Sequence, residues 1–217
     1  MQEQFLAVLK RALTLEEGAW VELRDNTSFT GVCGGLAAAV ALLGGLGAWL
    51  WGEFNLTSTP DGFFVDTVIM GTIFTLLLLA GWFVVTYVIL VQVFRATIAL
   101  DALIRVFAVA IVPLALGFLV FIPELNFWIA LSSITFTLGL LAFALRAAFS
   151  VTRMQAIQAT FAGFAVFAIV LSLLITANDI FATGAFVFEA TEDGATKGFS
   201  SEFSLDELDF EEFEAEP

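Results

Sequence analysis

The chain has 217 residues, 60% of them hydrophobic and only 14% charged, with a mean hydropathy of +0.98. That excludes an ordinary soluble domain, whose helices each turn a polar face to water. There is no histidine and a single cysteine, so imidazole metal ligation, imidazole acid–base catalysis and an intramolecular disulfide are excluded as well.

Residues 1–28 read as cytoplasmic amphipathic helices. Phe5, Leu9 and Leu13 recur at helical spacing through Gln2–Leu13. Thr14 followed by Glu17 fits a capping box that opens a second helix running to Arg24, with Trp20 and Leu23 on one face. Two placements stay open: along the membrane surface with Trp20 at headgroup level, or packed under the bundle.

Residues 29–176 carry five apolar runs without a charge, at 29–51, 67–94, 106–123, 125–145 and 157–176. A hydrocarbon core about 30 Å thick needs roughly 20 helical residues at about 1.5 Å each. The sequence therefore predicts an all-α, polytopic membrane protein with a five-helix transmembrane bundle. In the first run Gly31, Gly35 and Ala39 form a stripe of small residues. Such a stripe lets helices approach closely, and packing on the chain's own helices is expected ahead of a homodimer seam. The second run is long enough to tilt or to extend past the membrane, with Asp66 as a candidate cap at its start. In the third, Pro113 predicts a bend near Val109. The turn at Pro123–Asn126 forces the third and fourth spans into a hairpin. Ser132, Ser133, Thr135 and Thr137 in the fourth are expected to hydrogen-bond within or between helices.

Seven of the eight basic residues fall on one side of a five-span arrangement: Lys10, Arg11, Arg24, Arg95, Arg105, Arg146 and Arg153. The connections holding Glu53, Asp61, Asp66 and Glu124 have none. The positive-inside rule then predicts a cell-membrane protein with a cytoplasmic N-terminus and an extracytoplasmic C-terminus. The first 28 residues carry mixed charge and the first apolar run is long, so a cleavable signal peptide is not expected. Residues 177–217 read as an acidic, mostly disordered tail: from Glu189 onward eleven acids face Lys197 alone. Such a tail argues against nucleic acid as a partner. Ser204 and Glu207 formally make one more capping box within it.

Chemistry is sparse. No charge sits at mid-membrane depth, where proton relays and voltage sensors keep theirs. No zinc-protease, phosphate-loop or triad motif is present. Asp101 and Arg105 make an i, i+4 pair on the cytoplasmic connector, read as a helix-surface ion pair worth about 0.2–0.5 kcal/mol. Cys33 reads as a small apolar residue.

Three stretches resemble the Yip domain family, the Ypt/Rab-interacting multispanning membrane proteins and their prokaryotic relatives. They are Leu13-Thr-Leu-Glu-Glu-Gly-Ala-Trp-Val-Glu-Leu-Arg24 ahead of the first span, the connector Leu100-Asp-Ala-Leu-Ile-Arg-Val-Phe-Ala-Val-Ala-Ile-Val-Pro113, and Leu145-Arg-Ala-Ala-Phe-Ser-Val-Thr-Arg-Met-Gln-Ala156. The resemblance covers roughly residues 5–176 and implies five spans with a cytoplasmic N-terminus, in the prokaryotic branch. Eukaryotic members of that family are associated with vesicle trafficking, bind small GTPases, and carry a longer cytosolic N-terminus and an Asp-Leu-Tyr-Gly-Pro motif. This chain has neither, which removes the ground for expecting small-GTPase binding, and no functional residue carries over. The expectation is a non-enzymatic membrane organiser or partner-binding subunit without a cofactor. Its partners would be the lipid bilayer and other membrane proteins or further copies of itself. The alternative is a small-solute permease or transporter subunit, whose mark would be a continuous polar cavity at mid-membrane.

Overall fold

The computed structural model describes residues 2–56, 59 and 61–178, all-helical with no strand among them. Two short helices, α1 (Gln2–Leu13) and α2 (Glu17–Asp25), precede the spans. The first span is α3 (Thr30–Asn55), entered through one 3-10 turn at Thr27–Phe29. The second is α4 (Gly71–Val88), with π-helical turns at Val65–Met70 and Ile89–Val93. The third joins α5 (Leu100–Ala110) to a 3-10 stretch, Val112–Phe121. The fourth and fifth are α6 (Asn126–Phe149) and α7 (Arg153–Asn178). Five helical runs of 21 to 29 residues are thus long and apolar enough to cross a bilayer. The chain is a multi-pass integral membrane protein by this measure. The acidic tail, with Ser204 and Glu207, lies outside the described residues.

Several sequence expectations change in detail. Thr14 does not open α2; it closes α1. Glu16 N–H reaches back to Arg11 O and Leu15 N–H to Ala12 O, with Leu15 left-handed at φ 63°. That is a Schellman ending built on leucine where glycine is usual. The N-cap of α2 is Glu16, without a side-chain bond. Asp66 is no cap either: it lies in the first turn of the π-helical entry, which has no side-chain cap. Pro113 does more than bend a helix at Val109. The α-helix ends at Ala110 and the chain continues as a 3-10 helix, with proline in its first turn, where a missing N–H costs nothing. A 3-10 turn rises about 2.0 Å per residue against about 1.5 Å for an α-turn, so this 22-residue span reaches further than its length implies.

Packing runs through three glycines. A Cβ on Gly47 would stand 2.7 Å from Phe118 Cα, so α3 and the 3-10 stretch touch backbone to backbone. A Cβ on Gly52 would enter the ring of Phe63. On Gly163 it would come 2.7 Å from Trp82 O, so α7 lies directly on α4. There Trp82 Nε1 donates to Thr160 O at 3.1 Å, and its ring meets Phe107, Phe164 and Phe167 at 5.3–5.9 Å between centroids. One fully buried indole therefore joins the second, third and fifth spans.

The predicted stripe is different. Gly31, Gly35 and Ala39 are exposed, and a Cβ on either glycine would meet nothing within 4 Å. None of the described helices packs on it, contrary to the expected role. Three small residues in register show only that a face is smooth, and the other spans approach α3 from the side of Gly45, Gly47 and Gly52.

Candidate functional site

Among the described residues, the junction of the N-terminal helices with the spans gathers polar contacts, and a cavity opens inside the bundle. The junction is built on helix ends. The last carbonyls of a helix lack internal partners and carry the negative end of its dipole. Arg105, on α5, is 1% exposed and supplies partners to α2. Its Nε donates to Leu23 O at 2.8 Å and its Nη2 to Arg24 O, while Nη1 donates to Thr30 Oγ1 and Asp101 Oδ2, both at 2.9 Å. The expected surface pair with Asp101 is thus one arm of a buried clamp: Asp101 is 53% exposed at its side chain and Arg105 only 2%. The guanidinium's fixed fork suits two adjacent carbonyls, which a lysine could not span together.

The same device repeats in the other direction. Arg24 Nη1, on α2, donates to Ala148 O at 2.6 Å in the last turn of α6, and α6 stops at Ser150 in the left-handed region. Arg146, on α6, pairs with Glu17 in the first turn of α2, where an acid suits the dipole. Arg11 holds Glu16 at 2.6 Å and Glu22 at 3.0 Å, tying α1 to α2. Hydrogen bonds from Arg11 and Arg24 hold the Glu16 and Asp25 carboxyls below the usual carboxylate range. Below this polar layer Phe5, Val8, Ala19, Trp20 and Leu23 are buried against the ends of the spans. Of the two placements open for Trp20, the structure therefore shows the packed one. Its Nε1 finds no hydrogen-bond partner among the described residues. The outward side of the pair shows Leu6, Lys10, Leu13 and Leu15.

The second place is a half-open cavity of about 100 Å³ to which all five spans contribute. Val40 and Gly44 come from α3, Leu78 and Leu79 from α4, Leu114, Gly117 and Val120 from the 3-10 stretch, Ala130 and Ile134 from α6, and Phe167 and Leu171 from α7. Among the described residues that line it, Thr75 and Ser133 supply the hydroxyls. Ser133 already donates to Ala130 O at 2.8 Å. Its neighbours Thr135 and Thr137 bond back in the same way to Leu131 O and Ser133 O, so these expected hydroxyl bonds stay within α6. Pro113 lies one residue before this wall, at the change of helix type.

Among the described residues no group of three or more His, Cys, Asp or Glu side chains is placed to hold a metal. Cys33 is buried on α3. Sequence reasoning missed the caps made in trans, because Arg105 and its carbonyl partners lie about eighty positions apart (81 and 82 in sequence). It also missed a legible signal at the start of α7: Thr152 and Gln155 exchange backbone–side-chain bonds at 3.0 and 3.3 Å, a capping box in the pattern Thr-x-x-Gln. Compared with protein-family models, curated proteins and solved structures, the chain matches none.

Proposed function

We propose that the chain is a non-enzymatic membrane organiser or partner-binding subunit, Yip-like in layout, with its N-terminus in the cytoplasm and its C-terminus outside the cell membrane. The observation that carries this reading is the N-terminal platform. Guanidinium clamps fix α2 to α5 and to the end of α6, and Arg11 ties α1 to α2, while Leu6 (60% exposed), Leu13 and Leu15 point outward. A rigid, partly apolar surface suits a protein partner, because little freedom is lost on docking. Leu15 adds weight. A left-handed leucine costs about 1–2 kcal/mol relative to glycine, and an apolar side chain kept there at such a cost is one put to use. The basic residues gathered at this end support the cytoplasmic placement.

The permease alternative draws on the cavity, but a solute path needs polar groups along its length, and among the described residues this wall offers Thr75 and Ser133. The test is photocrosslinking in native membranes from benzoylphenylalanine placed at position 6 or 13. We expect one discrete protein adduct from both positions, and none from position 136, whose phenylalanine is exposed on α6. Absence of any protein adduct at both platform positions would overturn the proposal.

A further inference from the structure

We infer that the cavity among the five spans is a docking site for one acyl chain of a bilayer phospholipid. The void has a physical origin. The third span narrows from α-helix to 3-10 helix after Ile111, and a 3-10 helix is the slimmer of the two. Opposite it stands Gly44, and a Cβ on Gly117 would be 3.8 Å from Gly44 Cα, so no side chain from either residue fills the gap. The residues around it run from the middle of the spans, at Val40 and Leu79, toward the connection at 122–125.

Water is a poor occupant. An interior water makes about three hydrogen bonds, and the wall offers two hydroxyls, one of them already donating to its own helix. Hydrocarbon suits the wall far better. The cavity is half-open, and the chain neighbours of its lining, Leu77, Leu116, Leu131 and Val170, are exposed large apolar residues on the surface that faces lipid. The wall thus continues the interface the protein already has with the bilayer. Its size sets how much enters. An engineered apolar cavity of about 150 Å³ takes a benzene, so about 100 Å³ takes the last few methylenes of a chain whose headgroup stays outside.

The experiment uses the full chain reconstituted in phosphatidylcholine vesicles doped with a phosphatidylcholine that bears a diazirine near the end of one acyl chain. After irradiation, adducts are mapped by mass spectrometry. Adducts are expected on Leu79 and Val120, which are 4% and 2% exposed, as well as on the open Leu77 and Phe136. Gly44→Leu would direct a branched side chain into the cavity from a position whose Cβ meets nothing within 4 Å. It should abolish the adducts on Leu79 and Val120 and leave those on Leu77 and Phe136. Adducts confined to Leu77, Phe136 and other exposed residues in the unmodified chain would overturn the inference, whether or not the variant folds. So would wall adducts that persist in a folded Gly44→Leu protein.

Discussion

Replacing Arg105 by methionine keeps the apolar stem of the side chain and removes its charged fork. Four acceptors lose a donor: Leu23 O, Arg24 O, Thr30 Oγ1 and Asp101. The arms differ in worth. Asp101 is half exposed and rehydrates, so its arm contributes about 0–1 kcal/mol. The Leu23 carbonyl ends α2 in buried surroundings and the Arg24 carbonyl in partly buried ones; a buried acceptor left alone costs about 1–3 kcal/mol, a partly hydrated one less. Bonds in one cluster do not add fully, so Arg105→Met should destabilise the platform by about 2–4 kcal/mol, most of it from the two carbonyls. Asp101→Asn should cost under about 1 kcal/mol. Arg105→Lys should fall between them, because one ammonium cannot serve both carbonyls at the fork's geometry. Hydrogen exchange on the protein in nanodiscs reads the effect locally. Protection should be lost through Glu17–Asp25 in Arg105→Met and retained in Asp101→Asn, with the middle of α6 unchanged in both. Equal loss in the two variants would mean that the ion pair carries the contact, and would refute the reasoning from carbonyl capping.

Further outcomes follow from the same geometry. Gly47→Ala should destabilise by about 1–3 kcal/mol in detergent-solubilised protein, since backbone would have to move. Gly35→Ala, with open space at its Cβ, should be neutral or stabilising by up to about 1 kcal/mol; the reverse order would restore Gly31 and Gly35 as the intramolecular seam. Leu15→Gly should raise stability by up to about 1–2 kcal/mol by relieving the left-handed leucine, while weakening the crosslinks expected at the platform. Acid should loosen the platform. The Glu16 and Asp25 carboxyls are held down in the folded state, so their contribution is full above the unfolded value of about 4 and fades as pH falls below it. Exchange protection in α1 and α2 that instead fell on raising the pH from 5 to about 8 would contradict this sign.

The five spans were legible because hydrocarbon leaves backbone no partner but its own helix, so long charge-free runs have one outcome. Their ends were less so. The charge-free run begins at Val106, yet α5 begins at Leu100, because a helix continues past its apolar part wherever other elements satisfy its charges, as α2 does for Arg105. The Asp101–Arg105 spacing is real, but spacing along one helix cannot reveal carbonyls delivered by another. In the same way Gly31 and Gly35 stand out as a pattern and face open space. Gly47, Gly52 and Gly163 carry the close packing without forming one. The 3-10 continuation after Pro113 depends on what lies against it, chiefly Gly47, and a lone proline announces only that the α-helix is interrupted.

The most direct test is the side of the membrane on which each connection lies. In a Cys33→Ala background, single cysteines at positions 61, 95, 124 and 153 are challenged in intact cells with a membrane-impermeant maleimide. Labelling at 61 and 124, with 95 and 153 reacting only after permeabilisation, is the result five alternating spans and a cytoplasmic N-terminus predict. Labelling of 61 together with 95, or of 124 together with 153, would contradict that arrangement.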